Sequence, residues 1–188
     1  MAKEFYGFFD SIAGDEREYD SKDFSHILQA AMKNGISSHA EDGLKVSCDG
    51  VSLSTVVTPG GCVIDGYVYV LSDDGGERLR FEHVPAVGSE RWDRIVARLD
   101  KAVDSRKISL KLLTGMPGAA APELTRNGST YEISLARVRI RPEAEVLLDE
   151  DIVDERSDEN VCGYAVPAWI EKMVQPMSDE SIDEILNM

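Results

Sequence analysis

The chain has 188 residues, 43% of them hydrophobic and 29% charged, with a formal net charge of −15. That length suits one good core, or one domain with helical appendages, and the composition is that of an ordinary globular chain rather than a disordered one. The acidic excess disfavours binding driven by phosphate neutralisation, so neither nucleic acid nor an anionic membrane is expected as a partner.

No apolar run approaches the roughly 20 residues of a membrane-spanning helix. The N-terminus has no basic region followed by an apolar one, so synthesis and folding in a cytoplasm are expected. Cys48, Cys62 and Cys162 are scattered, with no CxxC pair, which fits reduced structural thiols. Residues 61–140 are close to charge balance. Beyond them only Arg141, Arg156 and Lys172 oppose many carboxylates, giving an acidic C-terminal region that is either a solvated surface or a contact for a basic partner.

In chain order, Phe5, Tyr6, Phe8 and Phe9 put four aromatics into five positions, a cluster costly to leave in water. It docks either on the domain's own core or on another chain. A helix follows, with Ser21 as N-cap, Asp23 in the first turn, and Phe24, Ile27, Leu28 and Ala31 on one stripe. Lys33 and Gly35 are read as its basic last turn and its stop. His26, beside the stripe, reads as a partly buried structural residue rather than a ligand.

After Gly43 the pattern changes to short β runs at 44–47, 51–57 and 62–64, with Asp49-Gly50 as a hairpin turn signal. Gly66 interrupts a β run and marks a turn or bulge. Residues 73–76 close that run, and a further short strand is expected at 77–81.

From Arg91 to Leu113 the sequence alternates twice. Ile95, Ala97 and Leu99 oppose Arg94, Arg98 and Asp100; then Ile108, Leu110 and Leu112 oppose Lys107, Ser109 and Lys111. Two half-buried strands joined by a polar turn at 101–106 are predicted. Residues 114–127, rich in Gly, Ala and Pro, read as an extended ordered connector. Tyr131, Ile133 and Leu135 then alternate until Ala136, after which Val138 and Ile140 carry the apolar parity. A one-residue slip of that kind implies a bulge or a strand changing sheets.

The acidic run Asp149-Glu150-Asp151 with Asp154 and Glu155 lacks the geometry of a calcium loop and reads as solvated charge. A short helix with Ser181 and Glu184 at capping-box spacing and Ile182, Ile185 and Leu186 on one edge ends the chain. No phosphate loop, nucleotide fingerprint or histidine metal spacing is present in the sequence, so no catalytic residue, cofactor or metal ligand is assigned.

Taken together, YGFFDS and YDSKDFSHIL, VTPGGCVIDGYVY, RWDRIVARLD, SRKISLKLLTGMP, APELTR, YEISLARV and IVDERSDENVCGY form a collinear series. It resembles the tail or baseplate structural proteins of tailed bacteriophages and prophages of Gram-positive bacteria. It is similar in particular to the N-terminal modules of their baseplate and receptor-binding proteins. The resemblance spans most of residues 5–165 and implies an antiparallel β-sandwich, shoulder-like attachment module preceded by a helix. It further implies virion assembly in the host cytoplasm, a homotrimer, other tail proteins as partners, and no catalytic residues. Gly60, Gly61 and Gly66 would shape tight turns, Asp93 and Arg94 would start the central hairpin, and Arg156 would close the sandwich edge. Such receptor-binding proteins usually continue into a neck and a head that recognise host saccharide.

The expected architecture is therefore a mainly β (α+β) protein. Residues 1–40 form an aromatic segment and helix, 41–165 the β domain, and 166–188 an acidic helical tail. Partner contacts are expected from Phe5, Tyr6, Phe8, Phe9, Phe24, Ile27, Leu28, Ile182, Ile185 and Leu186. The rival expectations are a carbohydrate-binding module presenting Tyr67 and Tyr69 to a cell-wall glycan, and a small cell-wall hydrolase.

Overall fold

The computed structural model describes residues 9–37, 42–72 and 78–168. The elements are α1 (Ser21–Ala31), β1 (Gly35–Ser37), β2 (Val46–Cys48), β3 (Ser54–Val57), β4 (Gly60–Ile64) and β5 (Tyr67–Leu71). They continue with β6 (Leu79–Glu82), β7 (Arg91–Asp100), β8 (Lys107–Leu113), β9 (Thr130–Ile140) and β10 (Ile152–Asp154). Among the described residues these strands pair antiparallel throughout, in three sheets ordered β1-β4-β5, β10-β9-β7-β8 and β2-β3-β6. The mainly β class with an N-terminal helix is thus the observed one. The expected C-terminal helix, with Ile182, Ile185 and Leu186, lies outside the described residues.

The central sheet is built on the β7–β8 hairpin, which pairs Arg94 with Leu113 through to Asp100 with Lys107 and turns through 101–106. Ile95, Ala97 and Leu99 pack with Ile133, Leu135, Ala136, Val138 and Ile140 of β9 and Leu110 of β8. Ile36, Val57, Cys62 and Ile64 from the smaller sheets close the same core. Each fully buried aliphatic side chain of this kind contributes about 1.5–3 kcal/mol.

The parity slip in β9 is a β-bulge. Ile95 faces Ala136 whereas Val96 faces Ser134, so Leu135 is the extra residue. Its unpaired backbone is satisfied from outside the ladder. The Leu135 carbonyl accepts from the Glu155 N–H at 3.0 Å, and the Ser134 N–H donates to the Val161 carbonyl at 2.9 Å. Both Leu135 and Ala136 therefore reach the core.

Several boundaries differ from expectation for local reasons. The N-cap of α1 is Asp20, not Ser21. Its carboxylate accepts from the Lys22 and Asp23 N–H groups, while Asp23 answers from the Asp20 N–H. The helix ends at Ala31 with no basic residue in its last turn. His26 is exposed rather than partly buried. Asp49-Gly50 does join two strands, but through a longer loop in which the Asp49 carboxylate accepts from the Val51 and Ser52 N–H groups. The first β run begins at Val46, since Leu44 is in a left-handed turn at φ 52°. The strand expected at 77–81 is β6, which starts two residues later and ends one residue later, at Glu82.

Asp65-Gly66 forms the two-residue turn between β4 and β5, with φ of 50° and 72°. Gly66 also has no room for a side chain, because a Cβ there would meet the Ser25 carbonyl oxygen at 2.0 Å. Helix α1 is seated on this turn, with Ser25 buried and Gln29 donating from Nε2 to the Asp65 carbonyl at 2.9 Å. Gly60 and Gly61 do not make turns. They lie within β4, where a Cβ would strike the backbone at Gly43 and Leu44 or at Tyr69.

Candidate functional site

Three arrangements stand out from this scaffold, and the most enclosed lies at the start of β7. Arg91 and Asp93 share the parity of Ile95, so they point inward with the core residues. Asp93 Oδ2 lies 2.8 Å from His83 Nδ1, and Thr55 Oγ1 lies 3.2 Å from His83 Nε2. Arg91 donates from Nε to Asp93 Oδ1 at 2.7 Å and from Nη2 to Oδ2 at 3.0 Å. The Gly115 N–H adds a bond to Asp93 Oδ1 at 3.0 Å, and Arg91 Nη2 caps the Val84 carbonyl at 2.8 Å. The three donor groups hold the Asp93 carboxyl below the usual carboxylate range, despite the opposing effect of burial.

A hydroxyl, an imidazole and a carboxylate in sequence have the connectivity of a nucleophilic triad. The chemistry is blocked by access. Thr55 is 0% exposed, and the His83 and Asp93 side chains are 0% and 1% exposed. With the imidazole proton facing Asp93, Nε2 is free to accept from Thr55, so each polar group has a partner and none faces a substrate. The cluster clamps β3 of one sheet to β7 of another.

The second arrangement covers the rear of the central sheet, the side away from the core. Register places Arg94, Arg98, Lys107, Lys111, Arg137 and Arg139 there on three adjacent strands. Glu132 is fully buried among them, bonded to Arg98 at 2.6 Å and to the Thr125 N–H at 2.6 Å. Glu155 accepts from the Ser134 hydroxyl at 2.5 Å and pairs with Arg137 at 2.7 Å, while Asp151 is shared by Arg139 and Arg141. The Arg137 guanidinium lies 5.5 Å from the centre of the Trp92 ring. The acidic run expected to be solvated is therefore divided. Asp149 and Glu150 are exposed, whereas Asp151 and Glu155 are buried against Arg137 and Arg139 of β9, Arg94 of β7 and Arg141 just past β9. Arg156, assigned to a sandwich edge, donates to the Gly43 carbonyl at 2.8 Å and pairs with Asp154.

The third arrangement is the N-terminal arm and helix. Residues 9–20 form a small hairpin shaped by its own hydrogen bonds. The Phe9 N–H donates to Tyr19 Oη at 2.8 Å, the Arg17 N–H donates to Ser11 Oγ at 2.9 Å, and Ile12 pairs with Asp15. Phe9 is 61% exposed, Ile12 67% and Phe24 62%. Ile27 is also exposed, and Leu28 is half-buried. The expected contact residues Phe5, Tyr6 and Phe8 lie outside the described residues. On the neighbouring strand Val68 and Val70 point outward, while Tyr67 and Tyr69 pack against the core.

Cys62 and Cys162 are buried, and burial pushes both thiols up to about 12; Cys48 is half-buried and also raised. Such thiols are poor nucleophiles. Among the described residues no group of His, Cys, Asp and Glu is placed to hold a metal, and no helix is long and apolar enough to cross a membrane.

Sequence reasoning missed the Thr55–His83–Asp93–Arg91 cluster. Its visible signal was two charged residues on the apolar parity at the start of β7. Comparison with protein-family models, curated proteins and solved structures finds no match.

Proposed function

We propose that the chain is a non-enzymatic structural component of a phage or prophage tail baseplate, one that assembles with itself and with other tail proteins. The observation that carries this reading is the contrast between a closed β core and an N-terminal arm and helix that present Phe9, Ile12, Phe24 and Ile27 to solvent. Large apolar side chains gathered on one projecting segment mark an association surface. The collinear resemblance of residues 5–165 to baseplate modules supplies the kind of assembly. The enclosed clamp is itself no reaction site, since its hydroxyl is beyond the reach of substrate.

The two rivals receive less support. A glycan platform would need Tyr67 and Tyr69 open to a sugar face, and both rings pack against the core. A hydrolase would need the Thr55–His83 pair, or two carboxylates, facing a cleft. The deciding experiment is mass spectrometry and immunogold labelling of purified tailed particles from cells carrying the gene. The expected result is the chain at the tail tip; its presence only in the cell extract, with none in particles, overturns the reading.

A further inference from the structure

We propose that the N-terminal arm of one copy docks on the rear face of the central sheet of a second copy, head to tail. A hairpin as small as residues 9–20 is marginal in water by itself, yet this one presents two large apolar side chains. It is also strongly acidic: Asp10, Asp15, Glu16, Glu18 and Asp20 stand against Arg17 alone, and Arg17 is bonded to Asp15. An arm-to-arm contact would set these carboxylates against their own copies, which opposes association.

The complementary charge lies on the same chain. The rear face collects Arg94, Arg98, Lys107, Lys111, Arg137 and Arg139, with Asp100 and Glu132 as the carboxylates of those same strand faces. Arg94 and Arg137 pair with Glu155, Arg98 with Glu132 and Arg139 with Asp151, and Val96, Glu132 and Ser134 are fully buried, so the open basic part of this face is Lys107 and Lys111, exposed on β8. Trp92 under Arg137, with Leu113 beside Arg94, offers a half-buried apolar seat. A copy cannot serve itself. Its helix is anchored on the β4–β5 turn through Gly66 and Asp65, and β4 packs on the core side of the central sheet. The contact therefore joins two different patches and repeats from copy to copy, closing a ring or extending a row.

This proposal builds on the reading of the chain as an assembly part, but light scattering tests it independently of where the protein sits in a particle. The full chain, at about 100 µM, is run on size exclusion with light scattering at about 50 mM and about 500 mM salt. Expected are oligomers at low salt that dissociate at high salt. Ile12→Glu and the double variant Lys107→Glu/Lys111→Glu should each weaken self-association on the order of tenfold or more, with unchanged circular dichroism. All three substitutions are at exposed positions, so folding should survive them. Mixing the two variants should give a heterodimer and nothing larger, because each supplies the surface that the other has lost. A monomer at low salt overturns the proposal. So does a lysine variant that assembles like the parent, since that outcome indicates arm-to-arm contact.

Discussion

In the central sheet Ile95, Ile133 and Leu135 are no more than 1% exposed, whereas in the N-terminal arm and helix Phe9, Ile12 and Phe24 all exceed 60%. The residue types are alike and the surroundings are not. The sheet gathers its apolar side chains on the one face that meets the core, in a register locked by the β7–β8 hairpin. The arm has only a short ladder of its own and a helix seated on one turn. Stability is therefore concentrated where the chain meets itself, and association where it does not.

The comparison breaks most sharply at Asp93. Replacing it with Ala strands Arg91 and the Gly115 N–H in a closed cluster, and the loss should be about 3–5 kcal/mol, read as a lower urea midpoint. A far smaller loss would mean that the clamp is not what joins β3 to β7. The same carboxylate gives a pH signature. Its folded pKa is depressed, so its contribution is fully present above the unfolded value near 3.9 and is lost as pH falls through the folded value. Asp154, lowered by Arg156, adds in the same direction. Unfolding by acid should thus begin below about pH 4, and in Asp93→Asn the stability lost over that acid range should be smaller.

Next in size is Gly66→Ala, which meets the Ser25 carbonyl and a left-handed φ at once. A loss of about 1–3 kcal/mol is expected. Hydrogen exchange should place it in α1, where amides lose protection while those of β7 and β9 keep theirs. The smallest effect is Phe24→Ser. At 62% exposure it should shift the thermal midpoint by no more than about 0.5 kcal/mol equivalent. A large loss there would mean that the helix face is core after all.

Much of the scaffold was legible because it is periodic. The hairpin from Arg91 to Leu113 and its turn at 101–106 follow from alternation alone, as does the bulge from the parity slip at Leu135-Ala136. The clamp was not legible, because its members come from three elements brought together by long-range pairing. Asp151 and Glu155 read as solvated charge for the same reason: the arginines that pair with them come from β7, β9 and the residue just past β9, brought together by a register no local pattern reveals. Helix α1 shows the converse case. The helix lies where its periodicity predicts, but the close approach at Gly66 turns Ser25, not the stripe of Phe24, Ile27 and Ala31, toward the protein.

The extra residue in β9 acts as a half-period phase shift. Before it, Glu132 and Ser134 lie on the rear of the sheet; after it, Arg137 and Arg139 do. Removing that one position would not merely shorten the strand. It would rotate everything on one side by half a turn and exchange Val138 and Ile140 with the neighbouring Arg137 and Arg139. Length changes along this strand are therefore tolerable only in pairs, and the spacing between Leu135 and Arg139 is as much a part of the surface as the arginines themselves.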